Sequence, residues 1–180
     1  MSLKNQPNQP NENNVYETER LILRPMSVED REFIFELYNR PKFIKYIGDR
    51  NLKTVEDAEN YIKNRFLPQF EKLGFGNYLV VTKDKNEKIG GVGIFEREGM
   101  EIVDIGFSLL EEFEGKGYAY EAAQKVKSIG MDDFGLKKIS AITSKQNFSS
   151  QKLIEKLGLK FKNYVTLPNE DEELMYYETE

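Results

Sequence analysis

Ile105-Gly-Phe-Ser-Leu-Leu-Glu-Glu-Phe-Glu-Gly-Lys-Gly-Tyr-Ala-Tyr-Glu-Ala-Ala123 runs from a strand pattern, through two glycines, into a helix of small residues. Ile105–Leu110 is an apolar run of strand length, and Ala119, Ala122, Ala123, Val126 and Ile129 recur as one helical stripe up to about Asp133. Glycine at 115 and 117 removes the Cβ penalty for unusual φ and lets a ligand reach the backbone. The helix start leaves N–H groups without partners and a partial positive charge, which together suit an anion such as phosphate. A plain turn satisfies the same spacing, so both readings stand at this point. Two phosphate motifs are excluded. A P-loop needs Ser or Thr after its Lys, and Lys116 is followed by Gly117. A dinucleotide fingerprint needs a third glycine where Tyr120 stands.

Outward from this loop, Ile102–Leu110, Lys88–Phe95 and Tyr78–Thr82 read as hairpin-linked strands of a meander. Glu19–Pro25 alternates as an opening strand, so Arg20 and Arg24 are expected to face solvent or a substrate groove. Ser27-Val-Glu-Asp30 and Thr54-Val-Glu-Asp57 are capping-box patterns that start two helices (about 28–39 and 55–70), the second broken by Gly74 and Gly76. On the other side lie a strand, Lys138–Thr143, a helix, Ser149–Leu157, ended by Gly158, and two strands, Lys160–Leu167 and Leu174–Thr179. The strand–helix–strand passage after 102 requires a local parallel pair. The expected fold is therefore α/β, a mixed, mostly antiparallel sheet of about seven strands flanked by about four helices. We expect residues 1–14, rich in Asn, Gln and Pro, to be a disordered arm and 15–180 to be one domain.

Composition narrows the chemistry. The 180 residues include no His and no Cys, so imidazole bases, thiol nucleophiles and Cys zinc sites are excluded. The net charge of −5 comes largely from the end of the chain: residues 15–169 hold 25 bases and 24 acids. That balance, with no basic run, argues against nucleic acid as a partner. The absence of a long apolar run argues against a membrane partner, and a cytoplasmic location is the default expectation.

Four pieces in order, ETERLILRP (17–25), IGGVGIF (89–95), IGFSLLEEFEGKGYAYEA (105–122) and KISAITSKQNFSSQKLIEKLGL (138–159), resemble the GNAT N-acetyltransferase superfamily, most closely its Rim-type branch (ribosomal-protein N-terminal acetyltransferases and their relatives). The resemblance implies acetyl-CoA as co-substrate and no metal. It aligns the family's [QR]-x-x-G-x-[GA] loop with Glu112, Phe113, Glu114, Gly115, Lys116 and Gly117, followed by Tyr118 and Ala119 at the helix start. Glu112 departs from the family's Gln or Arg. Three glutamates, 111, 112 and 114, then stand near an anion, and Lys116, Lys145 or Lys152 would have to offset them. The preceding strand would offer backbone groups to the pantetheine arm, from Phe107, Ser108, Leu109 and Leu110, with an N–H at 109 or 110 polarising the thioester carbonyl. Asn147 matches a CoA-contacting asparagine, although Asn before a helix is also a common N-cap. Ser150 matches a serine that some relatives use as an acid toward the leaving thiolate.

With no His, the base must be Asp, Glu or water. Asp104, on the strand entering the site, is the candidate, against the plainer reading of a solvated strand face. The expected function is transfer of acetyl from acetyl-CoA to a small-molecule or peptide amine, or to a protein N-terminus, by direct attack. Alternatives are an acyl-CoA-binding domain without catalysis and another phosphate-binding α/β domain. The acceptor groove is expected between the two N-terminal helices and the last strand pair, and a homodimer stays open.

Overall fold

The computed structural model describes residues 14–180, so the expected arm at 1–14 lies almost wholly outside the described residues. The elements are β1 (Tyr16–Glu17), β2 (Leu21–Pro25), α1 (Arg31–Tyr38), α2 (Pro41–Tyr46), α3 (Val55–Tyr61), α4 (Leu67–Leu73), β3 (Asn77–Thr82), β4 (Lys88–Phe95), β5 (Asp104–Leu109), α5 (Tyr118–Ser128), β6 (Ser140–Thr143), α6 (Phe148–Lys156), β7 (Lys160–Thr166) and β8 (Glu173–Glu178). The strands form one sheet in the order β1-β2-β3-β4-β5-β6-β8-β7, antiparallel except for the β5–β6 pair. The expected mixed, mostly antiparallel sheet is found. The short β1 and the six-residue α2 were not foreseen; α2 has no side-chain cap to announce it.

Both capping boxes form. Ser27 and Asp30 cap the turn leading into α1, and Thr54 and Asp57 cap α3. The rod from 55 to 73 widens into a π-helical turn at Ile62–Phe66, directly before Pro68. Proline lacks the N–H for the usual bond and crowds the carbonyl one turn back, and the widened turn accommodates it. Gly74, with φ of 79°, ends the rod.

Alternation along β3 shows why both faces are covered. Tyr78 and Val80 point into a core with Ala122, Ala123 and Val126 of α5 and Ile154 of α6. Leu79 and Val81 point into a second core with Ile34 and Leu37 of α1 and Ala58, Ile62 and Phe66 of the rod. A strand buried on both sides reads as a continuous apolar run, as NYLVVT does. The glycines of β4 answer to close approach: a Cβ on Gly90 would lie 2.2 Å from the Ser108 carbonyl oxygen.

Arg24 and Asp30 tie the two layers together. Asp30 is fully buried and accepts from Arg24 Nη2 at 2.8 Å, Arg24 Nη1 at 2.9 Å, Lys88 Nζ at 2.9 Å and the Ser27 amide at 3.0 Å. Burial alone would raise its pKa; these four donors together hold it below the usual carboxylate value. Arg24 is thus structural, contrary to the expectation that it faces solvent or a groove.

Candidate active site

β5 and β6 pair at a single position, Asp104 with Ser140, and then diverge. The gap opens two joined cavities. One, of about 330 Å³, is walled by the 107–109 edge of β5, the 111–117 loop, the first turn of α5, α2 and α6. The other, of about 650 Å³, is walled by α1, α2, the rod, the 95–98 turn, Asp104 and the 167–174 segment. Phe43, Tyr46, Ile47, Phe107, Ser108, Asn147 and Ser150 line both.

Strand register decides which backbone groups face the gap. The Leu110 amide donates to the Ile89 carbonyl at 2.8 Å, and β4 and β5 stay in register from 90↔109 to 95↔104. In an antiparallel pair the bonded residues alternate, so Ser108 and Gly106 also spend their main-chain groups on β4. Phe107 and Leu109 are left facing the gap. This corrects the expectation for Leu110 and for the Ser108 main chain. The Leu110 carbonyl is also taken, by the Phe113 amide at 3.0 Å, and its side chain is buried in the α1-side core.

The loop is similarly divided. The amides of Phe113 and Glu114 close a short 3-10 turn onto Leu110 and Glu111. Gly115 and Gly117 adopt φ of 73° and 83°, the left-handed region that favours glycine, and so turn the chain into α5. Among the described residues, the amides of Gly115, Lys116, Gly117, Tyr118, Ala119 and Tyr120 donate to no hydrogen-bond acceptor; Glu121 is the first to bond back, to Gly117. Six successive free N–H groups at a helix start are a row of donors of the kind that suits an anion. A plain helix start leaves the Gly117 to Tyr120 amides free as well; Gly115 and Lys116 extend the row by two. The side chains of Glu112 and Lys116 lie outside the cleft: Glu112 accepts from Arg40 at 3.1 Å, and the Lys116 ammonium sits over the Phe113 ring.

Arg20 holds this loop in place, which its strand pattern did not reveal. Its guanidinium donates to the Lys116 carbonyl at 2.9 Å and to Glu121 Oε2 at 2.7 Å, and lies 4.3 Å from the centre of the Tyr118 ring. Glu121 also accepts from the Arg20 amide at 2.8 Å and the Thr18 hydroxyl at 2.6 Å. Of the lysines expected to offset the loop acids, Lys116 and Lys145 do not face the cleft; other cations pair with those acids. Arg40 and Lys42 of the α2 region pair with Glu112 and Glu114, whereas Lys145 is occupied by Glu173. Lys152 lines the cleft with Lys156, whose ammonium lies over the Tyr120 ring.

Asp104 is buried, 1% exposed, and not on a solvated face. Its Oδ2 accepts from Arg97 Nε at 2.6 Å, while Oδ1 makes no hydrogen bond of normal geometry. Burial pushes its pKa up to about 6, against the pull of Arg97 and the Ile142 amide. It lines the larger cavity together with Arg97. Asn147 does cap α6, its Oδ1 accepting from the Ser150 amide at 3.3 Å, and it lines both cavities as well. The Ser150 hydroxyl is not engaged in that cap.

Residues 20–160 match the model of the acetyltransferase (GNAT) domain. The chain belongs to the GNAT acetyltransferase family. This GNAT chain is 30% identical over 145 residues to the uncharacterized N-acetyltransferase YoaA of Bacillus subtilis, covering 80% of this chain and 81% of YoaA. The crystal structure of a GNAT-family acetyltransferase from Bacillus anthracis superposes with a TM-score of 0.74 at 26% identity, over 91% of this chain and 96% of that one. The ribosomal L7/L12 α-N-protein acetyltransferase RimL, solved in complex with coenzyme A, shares the fold with a TM-score of 0.71 at 14% identity, over 91% of this chain and 96% of its own. The GNAT chain is accordingly an N-acetyltransferase. No helix among its described residues is long and apolar enough to cross a membrane.

Proposed function

We propose that this acetyltransferase moves an acetyl group from acetyl-CoA directly to an amine, either a protein or peptide N-terminus or a small amine. The observation that carries the donor half is the row of six free amides, Gly115 to Tyr120, at the mouth of a cleft that opens into a second cavity. A RimL structure holding coenzyme A on the same fold supports it, and that protein's α-N-protein activity supports an N-terminal amine as acceptor.

In this reading the amides hold the diphosphate, and the free edge of β5 at Phe107 and Leu109 guides the pantetheine arm. An amide on that edge polarises the thioester carbonyl as an oxyanion donor. The chain has no Cys, so the amine nitrogen attacks the thioester carbon without an acyl-cysteine intermediate. Deprotonating the amine at pH 7 costs roughly 4 kcal/mol for a lysine-like group and about 1.4 kcal/mol for an α-amine. Asp104, with a pKa raised to about 6, is a stronger base than an ordinary carboxylate and accepts that proton at its free Oδ1, directly or through water. Ser150, where the two cavities meet, protonates the departing thiolate. The larger cavity, between the N-terminal helices and the 167–174 segment, takes the acceptor. The domain spans 15–180, and its setting is the cytoplasm.

Free-thiol release from acetyl-CoA, measured over a panel of N-terminal peptides and small amines beside calorimetric titration with CoA, tests this. Amine-dependent release is expected. Binding of CoA with no release by any amine would make the chain a non-catalytic acyl-CoA-binding domain; no binding at all would remove the donor assignment.

A further inference from the structure

The smaller cavity has two walls of different origin. One is the loop with its free amides; the other is the α2 region, which no motif marks. Ion pairs tie them together at the edge of the cleft. Arg40 Nη2 donates to Glu112 Oε1 at 3.1 Å and to Glu36 at 2.6 Å, and Lys42 pairs with Glu114. Arg40, Lys42 and Glu114 all line the cavity. Two loop acids beside the free amides therefore help to hold these cations, Glu112 together with Glu36 of α1 on Arg40, and Glu114 on Lys42. All four side chains keep between 33% and 56% of their surface exposed, so neither pair is locked by burial. A diphosphate carries more charge than one carboxylate and offers a guanidinium several oxygens at once.

We propose that Arg40 and Lys42 are donor-binding residues, held by Glu36, Glu112 and Glu114 until the diphosphate of the CoA donor draws them from the two loop acids. Arg40 brings a guanidinium from α2 to the loop position where Glu112 itself supplies none. The glutamates beside an anion site then have a use: they keep the cations directed at the loop and lower donor affinity at the same time. This inference rests on the donor reading above and adds a consequence that a purely structural pair of ion bridges lacks. Neutralising the two acids strengthens donor binding.

The test uses the full chain, titrated with CoA at low salt, and acetyl-transfer kinetics with acetyl-CoA and with S-acetylpantetheine, which lacks the diphosphate. The double variant Arg40→Ala/Lys42→Ala is expected to raise the Kd for CoA about tenfold or more, the size expected for losing charge-assisted bonds. Its kcat/KM for acetyl-CoA relative to S-acetylpantetheine falls by a similar factor. Glu112→Gln/Glu114→Gln is expected to lower the Kd for CoA severalfold, and the gain shrinks as salt is raised, because exposed charges are screened. Thermal melts confirm that both variants are folded. Weaker or unchanged CoA binding in the glutamine variant, or an unchanged Kd in the alanine variant, overturns this inference and leaves the donor reading standing. Failure of the wild-type chain to bind CoA overturns both.

Discussion

Replacing Asp104 by asparagine keeps the shape of the side chain and removes its charge, and the structure sets the size of the effect. The carboxyl has an ordinary value of 3.8 and a folded value of about 6. At 1.36 kcal/mol per unit, holding the ionised form in the folded chain costs about 3 kcal/mol relative to the unfolded chain. The folded chain binds this proton more tightly, so the loss develops as pH rises from about 4 to about 6 and is complete above that. The asparagine side chain does not titrate. The stability of the variant minus that of the wild type is therefore expected to grow by about 2 kcal/mol between pH 4 and pH 7, the remainder of the loss lying below pH 4, as read by urea denaturation at each pH. Asp30 and Glu121, whose pKa values are lowered, contribute in the opposite sense, but they are present in both proteins and cancel in the difference. In the thiol-release assay the same substitution is expected to cut kcat/KM by about 10²–10⁴-fold and to abolish a limb that rises through pH 6. A stability difference that stays flat with pH would refute the reasoning, because Arg97 would then be holding Asp104 at an ordinary value; an intact pH 6 limb in the variant would remove Asp104 as the base.

Ser150→Ala should lower kcat by about 10²-fold if the hydroxyl protonates the leaving thiolate. It should leave the melting temperature in place, because the helix cap uses the Ser150 amide; an unchanged kcat assigns that proton to water. Glu121→Gln weakens the Arg20 clamp by about 1–2 kcal/mol, which should raise the KM for acetyl-CoA several-fold while sparing the KM for the acceptor. Equal effects on both would mean that Glu121 does not act through the loop. Gly90→Ala places a Cβ 2.2 Å from a main-chain oxygen of β5. At about 3 kcal/mol of overpacking, the melting temperature should fall by about 6–12 °C; a loss of less than about 2 °C would show that the strands part easily there.

The parts of this molecule that sequence reading reached are those governed by local rules. The capping boxes at Ser27 and Thr54, the alternation of β2, the strand run of β3 and the glycine turn at 115–117 each depend on neighbours within a few residues. What escaped depends on pairings distant in the chain. Arg20 meets Glu121 across 101 residues, and Arg40 meets Glu112 across 72. A period-2 pattern marks Arg20 only as the residue opposite a leucine, so it read as solvent-facing. The sequence marks Asp104 as the candidate base, but its burial escaped for a related reason. Its partner Arg97 sits in the turn before β5, and the burial of Asp104 follows from how β5 meets β6, not from the alternation of β5. The choice among Phe107, Ser108, Leu109 and Leu110 needed the register of β4, since a shift of one residue exchanges bonded and free groups. Two short signals could have pointed to α2: Pro41 at a helix first turn, and the two bases, Arg40 and Lys42, beside it.

A crystal structure of the chain with CoA tests the central claim most directly. The account predicts diphosphate oxygens within about 3 Å of main-chain nitrogens between Gly115 and Tyr120, with the thiol end at the split between β5 and β6. A diphosphate bound elsewhere, with those amides facing only water, would contradict it.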